Sequence, residues 1–143
     1  KVMEKPQNVD QCMHRAPLTI TEDKNIVDAV EMLLEYKLTG VTVVNGNNDV
    51  VGVLSEVDCI RAILNAIYND GEADEAGTVA DFMTRSVNFC SPQDGIVEVA
   101  ESMLATKQRR RPVMVDGKLV GQVSSGNILW ALMAFSRRKV RRG

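Results

Sequence analysis

Two stretches decide how this chain is read: Val50–Asp58, VVGVLSEVD, and Leu119–Asn127, LVGQVSSGN. In each, a short apolar strand with one glycine runs into a serine followed three residues later by a carboxylate or its amide. Ser-x-x-Asp after a strand starts a helix as a capping box, and a helix start can also hold an anion. Working outward, the rest of the chain repeats as well. VDQCM at Val9–Met13 answers VADFM at Val79–Met83, and NIVDAVEMLLEYK at Asn25–Lys37 answers GIVEVAESMLATK at Gly95–Lys107. TVV at Thr42–Val44 answers PVM at Pro112–Met114, and the offset between copies changes from 70 to 69 residues at a hairpin turn. That period is too long for a solenoid.

Each copy reads as β-α-β-β-α. Extended runs are expected at Leu18–Ile20 and Val87–Phe89. Helices follow with apolar residues at i, i+3, i+4, i+7 and i+8: Ile26, Ala29, Val30, Leu33 and Leu34, then Ile96, Val99, Ala100, Met103 and Leu104. Ser91-Pro92-Gln93-Asp94 is expected to start the second of these with a Ser cap and a proline in the first turn. Hairpins are expected at Val41–Val44/Val50–Leu54 and Pro112–Val115/Leu119–Val123, the latter around a tight Asp116-Gly117 turn. Final helices are expected at Ser55–Tyr68 and Ser124–Phe135. The expected division is residues 9–68, an acidic solvated linker 69–77, residues 78–136 and a basic tail 137–143. One copy alone buries little, so the expected α/β (α+β) fold packs the two repeats sheet to sheet about a pseudo-twofold axis.

Composition narrows the function. Of the 143 residues, 45% are hydrophobic and 4% aromatic, so aliphatic residues and methionine must fill the core. The net charge is −2, but the tail SRRKVRRG carries five cations; the remaining twelve bases face 19 acids, about −7. So acidic a body argues against nucleic acid as a partner, and the cationic tail is the segment that could hold one. Cys12, Cys59 and Cys90 form no CxxC pair, which argues against a disulfide framework or structural zinc and fits a reducing cytoplasm. No apolar run reaches the ~20 residues of a membrane span and no signal-like start is read, though the chain begins at Lys1 rather than Met. The lone His14 precedes the first strand, and Gly117-Lys118 sits in a hairpin without the rest of a phosphate loop, so an enzyme is not expected.

The ordered set resembles the cystathionine-β-synthase (CBS) domain: VxxxM, strand, amphipathic helix, PVV-like strand, DGKLVG turn, then G-x-x-S-x-x-D opening a helix. A tandem pair of these is a Bateman module, and the resemblance covers Val9 to about Ala134. It implies a regulatory protein with two clefts between the repeats that bind adenine nucleotides, AMP first, then ATP or ADP, with NAD or S-adenosylmethionine as further ligands. It also implies a homodimer and an unknown regulated protein partner, with no catalytic cofactor. Carried over by position, Ser55 meets phosphate, Asp58 grips the ribose diol and Val53 lies against the base; Ser124, Asn127 and Gln122 are the second set. Thr19, Ile20 and Thr21, with Cys90 and Ser91, match pocket-lining positions. Arg109, Arg110, Arg111 and Pro112, against Thr39, Gly40 and Val41 in the first copy, match the approach to the second strand.

The chemistry suits these roles. A helix start offers free N–H groups and partial positive charge to phosphate, and a carboxylate can accept both ribose hydroxyls. Asn127 keeps one acceptor but loses the charge. Guanidiniums make good phosphate forks, although strand alternation forbids all three from pointing one way, and Arg110 is the expected contact. The plain alternatives stand beside these. Ser-x-x-Asp can cap with no ligand present, the arginines can be solvated or pair with the acidic linker, and the methionines can be core. A ligand-free dimerising scaffold with decayed sites is the competing function. Apolar helices at Ile60–Ile67 and Ile128–Phe135, with Trp130 at an edge, suggest dimerisation.

Overall fold

Threonine and valine favour pleated, half-buried strands, and they dominate the segments that pair. The computed structural model describes the backbone of residues 7–142 and the side chains of residues 7–136. The chain separates into two units, Leu18–Val87 and the N-terminal segment up to Pro17 joined to the chain from Asn88 onward.

In the Leu18–Val87 unit, β1 (Thr19–Thr21) pairs parallel with β2 (Gly40–Val44), which pairs antiparallel with β3 (Val50–Ser55). The connection from β1 to β2 is α1 (Ile26–Glu35), capped by Asn25, whose side chain accepts from the Val27 N–H at 2.9 Å. After β3 come α2 (Glu56–Tyr68) and the short α3 (Val79–Phe82). Strand alternation puts Ile20, Val41, Val43 and Leu54 on the face that packs with Ile26, Ala29, Leu33, Cys59 and Ala62.

The other unit contains α4 (Ile96–Thr106), the hairpin β4 (Arg110–Val115) and β5 (Lys118–Ser124), and α5 (Ser125–Arg142). Asp116 and Gly117 have φ of 52° and 79°, the two left-handed residues of the expected tight turn. Val9, Cys90, Ile96, Val99, Met103, Val113, Val123 and Ile128 form its core.

Three local expectations are corrected. Val87–Phe89 is not a strand: only Cys90 bridges, its N–H donating to Pro112 O at 2.9 Å and its carbonyl accepting from Met114 N–H at 2.8 Å. Ser91–Asp94 is a separate turn, because the Asp94 carboxylate accepts from the Ser91 N–H at 2.9 Å, and α4 begins one residue beyond its N-cap, Gly95. The last helix passes Phe135 and runs to Arg142; the side chains of the basic tail, residues 137–143, lie outside the described residues.

Residues 69–77 stay within the Leu18–Val87 unit. They include a 3₁₀ turn at Ala73–Glu75, and Asn25 Nδ2 donates to Asp74 O at 2.8 Å. The two VxxxM segments are traded relative to sequence order. Val79–Met83 serves the first repeat, with Thr84 and Val53 exchanging backbone bonds of 2.9 and 2.8 Å. Val9–Met13 serves the second, with His14 and Gln122 exchanging two bonds of 2.8 Å. Each segment presses a methionine onto a strand glycine. A Cβ on Gly52 would lie 2.8 Å from Met83 Sδ and 2.8 Å from Thr84 O; on Gly121, 2.8 Å from Met13 Sδ and 2.9 Å from His14 O.

Gly52→Ala and Gly121→Ala should therefore each destabilise by about 1–3 kcal/mol through overpacking against backbone oxygen. Gly46→Ala, with nothing within 4 Å of its Cβ, should stay within about 0.5 kcal/mol of the parent chain in urea unfolding.

Candidate functional site

The junction where β3 becomes α2 is closed by two reciprocal bonds. Ser55 Oγ accepts the Asp58 N–H at 3.1 Å, and Asp58 Oδ2 accepts the Ser55 N–H at 2.9 Å. The β5–α5 junction is the same with an amide: Ser124 Oγ accepts the Asn127 N–H at 3.0 Å, and Asn127 Oδ1 accepts the Ser124 N–H at 2.9 Å. The first helical amides are also used, Glu56 N–H donating to Thr39 O at 3.0 Å and Ser125 N–H to Arg109 O at 2.7 Å. Among the described residues this leaves, at each helix start, the second amide (Val57 or Gly126) and the serine hydroxyl proton as donors for an incoming anion. Gly126 offers closer approach than Val57, since it has no side chain to stand in the way.

Asp58 is 6% exposed, and its second oxygen meets Arg61 Nη1 at 3.2 Å. The capping role is thus filled in full. Each carboxylate oxygen retains a lone pair, so the geometry is also compatible with accepting a hydroxyl. Arg61 is largely exposed, and an ion pair of that kind contributes little to stability.

Strand alternation sorts the remaining candidates onto two faces. On the face away from the helices, Thr19, Thr42 and Val53 are cross-strand partners in one row, with Thr21 two residues along and Ser55 paired to Gly40. Thr42 is buried and polar in this row and was not among the sequence candidates. Its signal was available: a threonine in phase with Thr19 and Val53 once the register is known. Thr21 Oγ donates to Asp23 Oδ1 at 2.6 Å, which holds the exposed Asp23 carboxyl below its usual range. Ile20 and Val41 face the core, leaving only their backbones toward the other face.

In the second unit, Arg110 pairs with Ser124 and Pro112 with Gln122 on the face away from the helices. Arg109 is exposed in the preceding loop. Cys90 and Arg111 go the other way. Cys90 is a core thiol, pushed up by burial against the opposing pull of the Arg111 guanidinium. Arg111 is 5% exposed: Nε and Nη2 donate to Gln108 Oε1 at 3.1 and 2.6 Å, Nη1 to Ser102 Oγ at 3.0 Å, and Nη2 to Thr106 Oγ1 at 3.3 Å. The arginine run is thus split, with Arg110 on the outer face of the sheet and Arg111 beneath it.

A different surface lies on the helices. Val57, Ile60, Leu64 and Ile67 form a stripe along α2, Ile60 being 57% exposed, and an apolar groove of about 530 Å³ runs between α1 and α2 past Val30, Leu34 and Ile60. On α5, Leu129, Trp130 and Met133 are exposed, Trp130 by 60%. Among the described residues no helix is long and apolar enough to cross a membrane, and no group of three or more His, Cys, Asp or Glu could hold a metal.

Comparison with known proteins agrees with this architecture. The family model for the CBS domain matches residues 9–65 and 79–134. Protein MJ1225 of Methanocaldococcus jannaschii is 31% identical over 121 residues, 85% of this chain and 41% of that protein. Inosine-5'-monophosphate dehydrogenase of Nitrosopumilus maritimus is 27% identical over 113 residues, 78% of this chain but 21% of the enzyme. The chain therefore spans less than half the length of either relative. The crystal structure of CBSX2 of Arabidopsis thaliana in complex with AMP superposes with a TM-score of 0.79 at 29% identity, covering 92% of this chain and 99% of that one.

The cap predicts its own energetics. Asp58→Ala should cost about 1–2 kcal/mol of stability in chemical unfolding, Asp58→Asn much less because Asn127 already closes such a box, and Arg61→Ala under about 0.5 kcal/mol.

Proposed function

As the chain belongs to the CBS domain family, we propose that it is a regulatory binding module for an adenosine phosphate of the AMP class rather than an enzyme. The observation that carries this reading is the row Thr19–Thr42–Val53 beside the Ser55 helix start, in a fold that matches an AMP complex over 92% of the chain. Val53 offers an apolar wall for a base, and Asp58 offers spare lone pairs to a ribose. Within that unit the Ser55 hydroxyl and the Val57 amide would meet the phosphate. In the other unit, taken by itself, the start of α5 with Ser124, Gly126 and the nearby Arg110 is a second phosphate cradle, whose second residue has no side chain and which has a cation beside it. Ligand binding shifts a partner-reading state only if the two states bind it unequally.

A ligand-free scaffold is the second reading. What favours it is that both capping boxes are complete without any ligand. Asp58→Asn separates the two readings, since it keeps the cap and removes the charge. Calorimetry should give heat with AMP, ADP or ATP for the parent chain. Asp58→Asn should then weaken binding by about 1–3 kcal/mol at near-normal stability. No heat at millimolar nucleotide, S-adenosylmethionine or NAD would leave the scaffold reading.

We further propose that a second copy covers the α2 and α5 stripes, since an exposed apolar surface of this kind marks an interaction site. Light scattering should report a dimer for the parent chain and a monomer for Ile60→Glu combined with Leu129→Glu; a parent monomer at all concentrations would contradict this.

A further inference from the structure

Buried charge is rarely left without an opposite charge, and Arg111 is an exception that points to a ligand. It lies in β4 at the place where the other repeat has Val41. Around it Ser102, Thr106 and Gln108 stand where that repeat has Met32, Tyr36 and Leu38. A largely apolar arrangement, with only the Tyr36 hydroxyl polar, has thus been replaced by a polar one in this unit. The guanidinium cannot lose its proton. Among the described residues it meets the neutral oxygens of Gln108, Ser102 and Thr106 and the Cys90 thiol, and forms no ion pair with a carboxylate.

Beside it is a cavity of about 320 Å³, lined by Gln93, Asp94, Gly95, Glu98, Val99, Ser102 and Arg111. It follows one face of α4, since Gly95, Glu98, Val99 and Ser102 recur at helical spacing. Ser102 Oγ accepts from Arg111 and keeps its own proton to donate. Asp94 and Glu98 bring two carboxylates to the same space. Asp94 uses Oδ2 on the Ser91 N–H, and Glu98 is exposed at its outer end. Glu98 and Ser102 are one turn apart, about 6 Å along the axis.

A bare anion would be drawn to Arg111 and repelled by both acids; a bare cation would meet the reverse. We infer that this cavity takes a small zwitterion with the chemistry of an α-amino acid, its carboxylate on Ser102 and Arg111 and its ammonium between Glu98 and Asp94. The cavity sits on the helix side of the sheet, opposite the face that carries Arg110 and Pro112, so the inference is independent of the nucleotide reading.

The test is thermal unfolding and calorimetry with the L-α-amino acids at millimolar concentration, alongside amines and carboxylic acids that match them but lack one charged group. At least one amino acid should raise the unfolding temperature by mass action, while its amine and acid counterparts should not. Glu98→Gln should weaken that binding by about tenfold or more. Arg111→Met should abolish the shift yet leave basal stability unchanged or higher, because an apolar residue of similar length removes an uncompensated charge. The inference is overturned if no amino acid shifts unfolding, if single-charge analogues act equally well, or if the shift survives in both variants.

Discussion

The capping bond between Ser55 and the Asp58 carboxylate is the constraint on which the rest of this chain depends. A strand that turns directly into a helix must satisfy the first helical amides at once, and Ser-x-x-Asp does so without any loop. The consequence is geometric. The serine hydroxyl, one spare amide and the carboxylate are delivered to the same end of the sheet at fixed separation, whether or not anything binds there. Because the cap stabilises the junction and its atoms are not exhausted by it, a binding role can be added to a structural one without further local ordering. The second repeat runs the same device with Asn127, which conserves the cap and changes only the charge.

Close approach does comparable work on the far edge of each sheet. Gly52 and Gly121 admit Met83 and Met13 within a distance that any side chain would forbid. In this way a short turn, Val79–Phe82 in one unit and Val9–Gln11 in the other, completes the hydrophobic core and adds a backbone partner to the last strand. Each unit thus includes a turn from the beginning of the other repeat's sequence, so neither sequence repeat corresponds to a compact unit by itself.

Much of this could be read from the residues. The amphipathic helices, the Asp116-Gly117 turn and the strand-to-helix junctions are local, and periodicity or a short motif specifies them. The traded turns could not be read, because VDQCM and VADFM are near-copies and nothing local says which core each will join. Val87–Phe89 has strand-like residues but lacks pairing partners, and Ser91-Pro92 resembles a helix start although Asp94 folds back to make a turn. Within the candidate site, strand phase explains which of the expected residues turn their side chains to the core. Ile20, Cys90, Val41 and Arg111 share the parity of Val43 and Val113 and so face inward. For Arg111 the charge suggested an outward position, and the neutral oxygens of Ser102, Thr106 and Gln108 are what allow it inside.

The central claim is that the sheet face bearing Thr19, Thr42 and Val53, together with the Ser55 junction, receives an adenosine phosphate. Amide chemical shifts recorded during an AMP titration test it residue by residue. The account predicts saturable shifts concentrated at Thr19, Thr42, Val53, Ser55 and Val57, with Ile60, Leu64 and Ile67 farther along α2 unaffected. Saturable shifts confined to the helical surfaces, or a spectrum unchanged by millimolar AMP, would contradict it.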